Sequence, residues 1–278
     1  MVKVALRLSK LGKSAKKAKI TFGSLNKWNR NLAVVHFAQG VAILFLSGNS
    51  GFAVTTNFLA IDTLATKGAG HVVLAQANRH LFDVNLAYLV AAFFFMSAIA
   101  HLVVATVYRQ NYEKNLKKGI NKVRWWEYGF SASTMMVAIA LLTGISDLSL
   151  LVAIFALDFI MNMCGLIMEV HNQGVKPGKQ VNWLSYWIGS LAGIVPWIAI
   201  LIYMLGAGMY GSGIPTFVYW IYVSMFVFFS SFALNMYLQY RGKGRWANYL
   251  YGERVYMILS LVAKTLLAWQ VFFGTLRP

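Results

Sequence analysis

What this sequence lacks narrows its class before any motif is read. It has one cysteine, Cys164, set in an apolar stretch, so neither an intrachain disulfide nor a multi-cysteine zinc site can form. It is poor in charge. Charged residues make up 12% of its 278 positions and hydrophobic ones 59%, whereas soluble domains carry about 25% charged residues, which excludes an ordinary soluble globular protein. It is poorest in acids, with 8 Asp+Glu against 25 Lys+Arg. The resulting formal charge of +17 suggests nucleic acid, a membrane surface or an acidic partner until the charges are placed along the chain.

What fills the chain instead is apolar sequence. A spanning helix needs roughly 20 mostly apolar residues, and seven such runs can be read, at about 31–48, 84–107, 126–143, 148–169, 184–206, 215–239 and 252–274. Each is longer than a buried strand, so the expected fold is an all-α integral membrane bundle of seven transmembrane helices, residues 31–278, preceded by a basic tail, residues 1–30. We call the runs span 1 to span 7. No long polar stretch remains for another domain.

Mapped onto the loops, the positive charge becomes a topology signal. The tail before span 1 holds Lys3, Arg7, Lys10, Lys13, Lys16, Lys17, Lys19, Lys27 and Arg30, and the segment between spans 2 and 3 holds Arg109, Lys114, Lys117, Lys118, Lys122 and Arg124. Lys176 and Lys179 follow span 4, and Arg241, Lys243, Arg245 and Arg254 lie between spans 6 and 7, on the same side. The other side has only Lys67, Arg79 and Arg277. The positive-inside rule therefore predicts a cytoplasmic N-terminus and an extracellular C-terminus. The Lys-rich tail, free of acids, reads as a segment lying against anionic lipid. A transit peptide or a nucleic-acid arm are rival readings, and no cleavable signal peptide is evident.

Between spans 1 and 2, the β-capable pieces FAVTTNFLAI and HVVLAQA are separated by TKGAG, which predicts a short extracellular β-hairpin turning near Lys67 to Gly70. Such a hairpin would cover the bundle mouth or contact a second protomer. An irregular capping loop is the alternative.

Inside the spans, ionisable residues are few enough to weigh one by one. Lys264 lies about twelve residues into span 7, where a charge costs of order 2.5–3.5 kcal/mol on insertion scales. A desolvated amine is a nucleophile toward aldehydes, so Lys264 reads as a Schiff-base attachment point; an ion pair between helices or a pore lining are the other readings. Among the acids, Glu127 is the best counterion: Arg124 three residues before it and Ser131 four after share its helical face, placing a guanidinium and a hydroxyl beside its carboxylate. Ser260, one turn before Lys264, holds a neutral group on the same face. His36 and His101, with Ser97 one turn before the latter, are titratable or polar groups suited to accepting a proton, or are satisfied structural side chains. Asp158, in mid-span 4, is either a relay group or a protonated carboxyl bonding between helices. Asp83, Asp147, Glu169 and Glu253 fall near helix ends.

Aromatic residues form 15% of the chain. Trp125, Trp126, Trp183 and Tyr249 suit interface belts, while Tyr128, Trp197, Phe228, Phe229 and Trp269 lie within spans, where they clamp an apolar ligand or simply pack. Pro196 is expected to kink span 5.

RWWEYGFSAS with LLTGISDL, GIVPWIAI, FVYWIYVSMFVFFSSFALNMYLQY and YLYGERVYMILSLVAKTLLAWQVFFGTL, in that order from Asp83 onward, resemble the heliorhodopsins, the inverted seven-helix branch of microbial-type retinal proteins. The resemblance implies all-trans retinal on Lys264 as a protonated Schiff base, with Glu127 as the sole carboxylate counterion and Ser260 where many pumps carry a second. It implies a proton-accepting polar cavity around His36, Ser97, His101 and Arg124, and retinal neighbours at Tyr128, Ser131, Met161, Gly165, Trp197 and Phe229. It also implies a homodimer with the hairpin at its contact, and a light-driven Schiff-base deprotonation with slow recovery. Asp158 departs from the pattern, which expects a neutral residue there.

The functional expectation is a light-sensing photoreceptor that does not pump, signalling to an unknown cytoplasmic partner and binding no nucleic acid. Eleven residues after Glu127, where outward pumps of the wider class carry a donor acid, stands Ala138. A light-gated proton or cation channel stepping through Asp158 and the histidines is the alternative. A light-regulated enzyme or lipid-handling protein has no catalytic constellation to support it.

Overall fold

The computed structural model describes residues 20–176 and 179–278. Most of the basic tail expected at the N-terminus, from Lys3 to Lys19, lies outside the described residues. The chain runs α1 (Phe22–Leu46), β1 (Gly51–Ile61), α2 (Thr63–Ala69), β2 (Leu74–Asn85), α3 (Leu86–Ala105), α4 (Arg109–Lys117), α5 (Lys122–Leu142), α6 (Leu148–His171), α7 (Leu184–Tyr210), α8 (Thr216–Arg241) and α9 (Tyr249–Val271), closed by a π turn over Phe272–Leu276. Spans 1 to 7 correspond to α1, α3, α5, α6, α7, α8 and α9.

Among the described residues, five helices are long and apolar enough to cross a membrane: α3, α6, α7, α8, and α9 with its π turn. By the same measure α1 and α5 are not, because α1 carries Asn26, Lys27, Asn29, Arg30 and His36 and α5 begins with Lys122, Arg124 and Glu127. These two contribute much of the polar interior described below.

Where α1 starts differs from the expected tail boundary at residue 30. Thr21 accepts a hydrogen bond from Ser24 N–H, and the Ser24 side chain closes the capping box from the other side, so the helix begins nine residues before the apolar run. α4 was not expected at all. It is a short amphipathic helix that buries Tyr112 and Leu116 and leaves its basic residues outward.

The bundle is built by neighbours in sequence. α1 packs on α3, α3 on α5, α5 on α6 and α6 on α7, while α8 packs on α9 and α9 returns to α1. α7 and α8 meet chiefly through rings: Trp197 stands edge-on to Tyr222, Phe226 and Phe229. The fully buried Phe93, Phe94, Met136, Ile139 and Ile145 fill one end of the core. α7 continues through Pro196.

β1 and β2 pair antiparallel from Gly51 with Asn85 to Ile61 with Leu74, with a bulge between Val54 and Thr55. The tight turn expected near Lys67 is instead the helix α2. Asp62 accepts from the Leu64 and Ala65 N–H groups and starts it, and Gly70, at φ 70, closes it. Thr55 N–H donates to Ser146 O at 2.8 Å and Asn57 N–H to Asp147 at 3.0 Å, so the strand pair docks on the turn joining α5 to α6.

Candidate functional site

Lys264 and Glu127 meet in the interior. Lys264 Nζ lies 3.2 Å from Glu127 Oε1, with the two side chains 4% and 7% exposed, and it donates to Ser260 Oγ at 2.9 Å. The i,i+4 spacing on α9 brings Ser260 to the amine, as its place on the helix predicts. In so dry a place neither charge is tolerable alone, so each is the condition for the other.

The remaining support for Glu127 departs from expectation. Ser131 Oγ, the expected donor, is buried without a hydrogen-bond partner. Ser97 on α3 takes the role and donates to Glu127 Oε1 at 2.6 Å. Nor does Arg124 pair with Glu127. Its guanidinium is clasped by Glu169 of α6 and Glu253 of α9 and lies between the rings of Trp125 and Tyr256, with 4.0 Å from its carbon to the Tyr256 centroid. Two carboxylates from other helices outcompete one a turn away, because a planar guanidinium satisfies several acceptors in its own plane.

Glu169 also accepts from Asn121 N–H at 2.8 Å, Trp125 Nε1–H at 2.7 Å and the Tyr249 hydroxyl at 3.0 Å, and Glu253 accepts from Asn121 Nδ2 at 2.7 Å. Trp125 and Tyr249, read from sequence as interface residues, are therefore part of this cluster, whereas Trp126 is half-exposed at 50%. Sequence reasoning passed over Glu169 and Glu253. The available signal was that Arg124, Glu169 and Glu253 all fall at the ends of spans facing the same side.

A cavity opens beside the pair, and among the described residues Lys264 is the only charged side chain in its wall. Of the residues named from the resemblance, Tyr128, Met161, Gly165, Phe229 and Ser260 line it, together with Trp125, Tyr186, Phe232 and Met236, and Ser131 does not. Trp197 does not line it; it backs Phe229, with ring centroids 5.4 Å apart. Two glycines make the room. A Cβ at Gly165 would collide with the Trp125 ring, and one at Gly193 would collide with Met161 Sδ. The apolar wall and the single amine fit a long apolar aldehyde.

A smaller cavity lies on the other side of Tyr128, walled by Asn29, His101, Tyr112, Asn121, Arg124, Glu127 and Glu253. Of the polar group predicted from sequence, His101 and Arg124 line it. His36 and Ser97 do not: Ser97 is committed to Glu127, and His36 stacks on His101 at 5.5 Å with neither ring nitrogen bonded. His101 Nδ1 bonds to Asn29 Oδ1 at 2.7 Å.

The comparisons with known proteins agree with this architecture. The family model for heliorhodopsin matches residues 25–276. Among solved structures, the chain is similar to Exiguobacterium sibiricum rhodopsin at 16% identity and TM-score 0.54, covering 88% of this chain and 94% of that one. A light-driven proton pump from Leptosphaeria maculans matches at 14% and 0.59, over 89% and 94%. A cyanorhodopsin from the cyanobacterium Tolypothrix matches at 11% and 0.55, over 93% and 96%. At these identities the likeness is one of fold. No curated protein matches the chain. With its apolar helices, the chain is a multi-pass integral membrane protein of the rhodopsin fold.

Proposed function

This chain belongs to the heliorhodopsin family, and from that premise we propose that it is a light-sensing retinal photoreceptor that holds all-trans retinal on Lys264 with Glu127 as counterion. The observation that carries the reading is the buried Lys264–Glu127 pair at the wall of an apolar cavity otherwise free of charge.

Bound retinal supplies absorption of visible light and a change of shape. The chain's residues do the rest. Lys264 holds the ligand through Nζ, Ser260 fixes the direction of that nitrogen, and Glu127 neutralises the charge upon it. Ser97 keeps Glu127 Oε1 in place by its short hydrogen bond. Tyr128 lines both cavities, and the Lys264 nitrogen stands 5.2 Å from the centre of its ring. A proton leaving the Lys264 site has the smaller cavity beside it, where the His101 imidazole can accept it and Asn29 Oδ1, 2.7 Å from His101 Nδ1, fixes that ring by a hydrogen bond. Ala138 supplies no donor acid for vectorial return, which supports slow recovery without pumping.

The proposed topology has all seven long helices spanning, the N-terminus cytoplasmic, the C-terminus extracellular, and the strand pair outside. Phe58, Leu59, Leu74 and Phe82 are exposed on that strand pair, which supports its use as the contact of a homodimer within the bilayer. The signalling partner lies on the cytoplasmic side.

Purified protein supplied with retinal should become coloured, and Lys264→Ala should lose covalent binding altogether; a coloured, covalently loaded Lys264→Ala protein would refute the attachment. Voltage clamp under illumination separates the sensor from a light-gated channel, since a reproducible voltage-dependent photocurrent belongs only to the latter.

A further inference from the structure

Four acids lie inside the bundle, and three face a cation. Glu127 meets Lys264, and Glu169 and Glu253 meet Arg124. Asp158, 1% exposed, has no ion pair among the described residues, and its Oδ1 has no hydrogen-bond partner. A bare carboxylate in such a place is far costlier than the neutral acid.

The neighbouring serine says where the proton sits. Ser133 Oγ contacts two oxygens, the Gly129 carbonyl at 2.6 Å and Asp158 Oδ2 at 3.2 Å. A hydroxyl has one hydrogen to give, and a carbonyl oxygen can only accept. The shorter contact therefore claims the serine's hydrogen for Gly129 O. The longer one is then a hydrogen bond only if Asp158 supplies the proton and Ser133 Oγ accepts it. At Ser97 the order is reversed, with Glu127 at 2.6 Å and the Phe93 carbonyl at 3.0 Å, as suits an ionised acceptor.

The placement also links Asp158 to the cavity. The bare Gly129, where a Cβ would stand 3.0 Å from the Phe159 ring, lets α5 and α6 approach closely enough for Ser133 to reach Asp158. One turn along α6, Asn162 Nδ2 donates to the Asp158 backbone carbonyl at 2.8 Å and reaches Oδ2 at 3.3 Å. Asn162 is itself in the cavity wall.

We propose that Asp158 is a neutral, proton-bearing carboxylic acid whose O–H bond to Ser133 latches α5 to α6, and that the shape of the cavity's occupant reaches this latch through Asn162. The protonation stands independently of the ligand. The coupling through Asn162 rests on the retinal reading.

Infrared spectroscopy tests both parts. Subtracting the dark spectrum of Asp158→Asn from that of the wild type should leave the carbonyl stretch of a protonated acid, sensitive to D2O. Ser133→Ala should keep that band and move it to higher frequency. If the difference shows only carboxylate bands, the protonation is overturned, whether or not the protein is coloured. In coloured protein, illumination should shift the same band and Asn162→Ala should abolish the shift. Ser133→Ala should change the rate of dark recovery about fivefold, the scale of one lost hydrogen bond, while Asp158→Asn, whose amide can donate to Ser133, stays near the wild-type rate. A band that light leaves unmoved, or wild-type recovery in Ser133→Ala, sinks the coupling. A colourless protein instead counts against the retinal reading alone.

Discussion

Lys264 and Arg124 are buried cations bordering one another's surroundings, yet they are neutralised differently. Lys264 has a single carboxylate, Glu127, with hydroxyls completing the shell. Arg124 has two carboxylates from two other helices, two aromatic faces and an asparagine bridging the acids. The first arrangement leaves an amine with one counter-charge, whose loss changes everything at that nitrogen. The second spreads one charge over α5, α6 and α9 and leaves a formal excess of one negative charge. A reactive centre suits the sparse design and a structural clasp the redundant one.

Replacing charges one at a time should sharpen that contrast. The largest effect is expected from Glu127→Gln, which should move visible absorption strongly to longer wavelength, because the lost counter-charge no longer stabilises the ground state; an unshifted spectrum would place the counterion elsewhere. Next comes Arg124→Gln, which strands two buried carboxylates and should lower stability by about 3–5 kcal/mol, read as earlier thermal loss of colour with little spectral change. A large spectral shift in this variant would break the comparison, by tying Arg124 to the chromophore.

The smallest effect is expected outside the bundle, at Asp147. It starts α6 and accepts from Asn57 and from the Ser149 and Leu150 N–H groups. Burial, the largest single influence, raises its pKa, and these hydrogen bonds together more than reverse that, holding it below the ordinary aspartate value of 3.8. A depressed native pKa contributes stability that is present above the ordinary value and is lost as pH falls through the native one. Asp147→Ala should cost about 1 kcal/mol at neutral pH and flatten the acid limb of a stability–pH profile, while an unchanged limb would show that the strand pair does not depend on this contact.

Much of this was legible in the chain. Lys264 stood out because a lysine in the middle of an apolar run needs a reason, and Ser260 followed from helical spacing alone. Tyr128, Met161, Gly165 and Phe229 were placed by resemblance and do share one cavity. The failures have a common cause. Ser131 and Arg124 were assigned to Glu127 by proximity along α5, but a side chain pairs with whatever acceptor its own helix face meets, and those acceptors came from α3, α6 and α9. Trp197 lies one layer behind the cavity for the same reason: its face of α7 meets α8 rings. The turn after β1 was misjudged locally, since Asp62 caps a helix that TKGAG only ends.

By itself, then, the sequence determined the class of the protein and the asymmetry of its charge, because hydrophobic length and the placement of lysine and arginine are properties of segments. It also singled out Lys264, a lysine in the middle of an apolar run. Tertiary structure alone decided which acid faces which cation, that Ser97 rather than Ser131 holds Glu127, and that Asp158 is left without a cation among the described residues. Those are contacts between distant segments, set by how close helices approach at Gly129, Gly165 and Gly193, and no spacing along one helix encodes them.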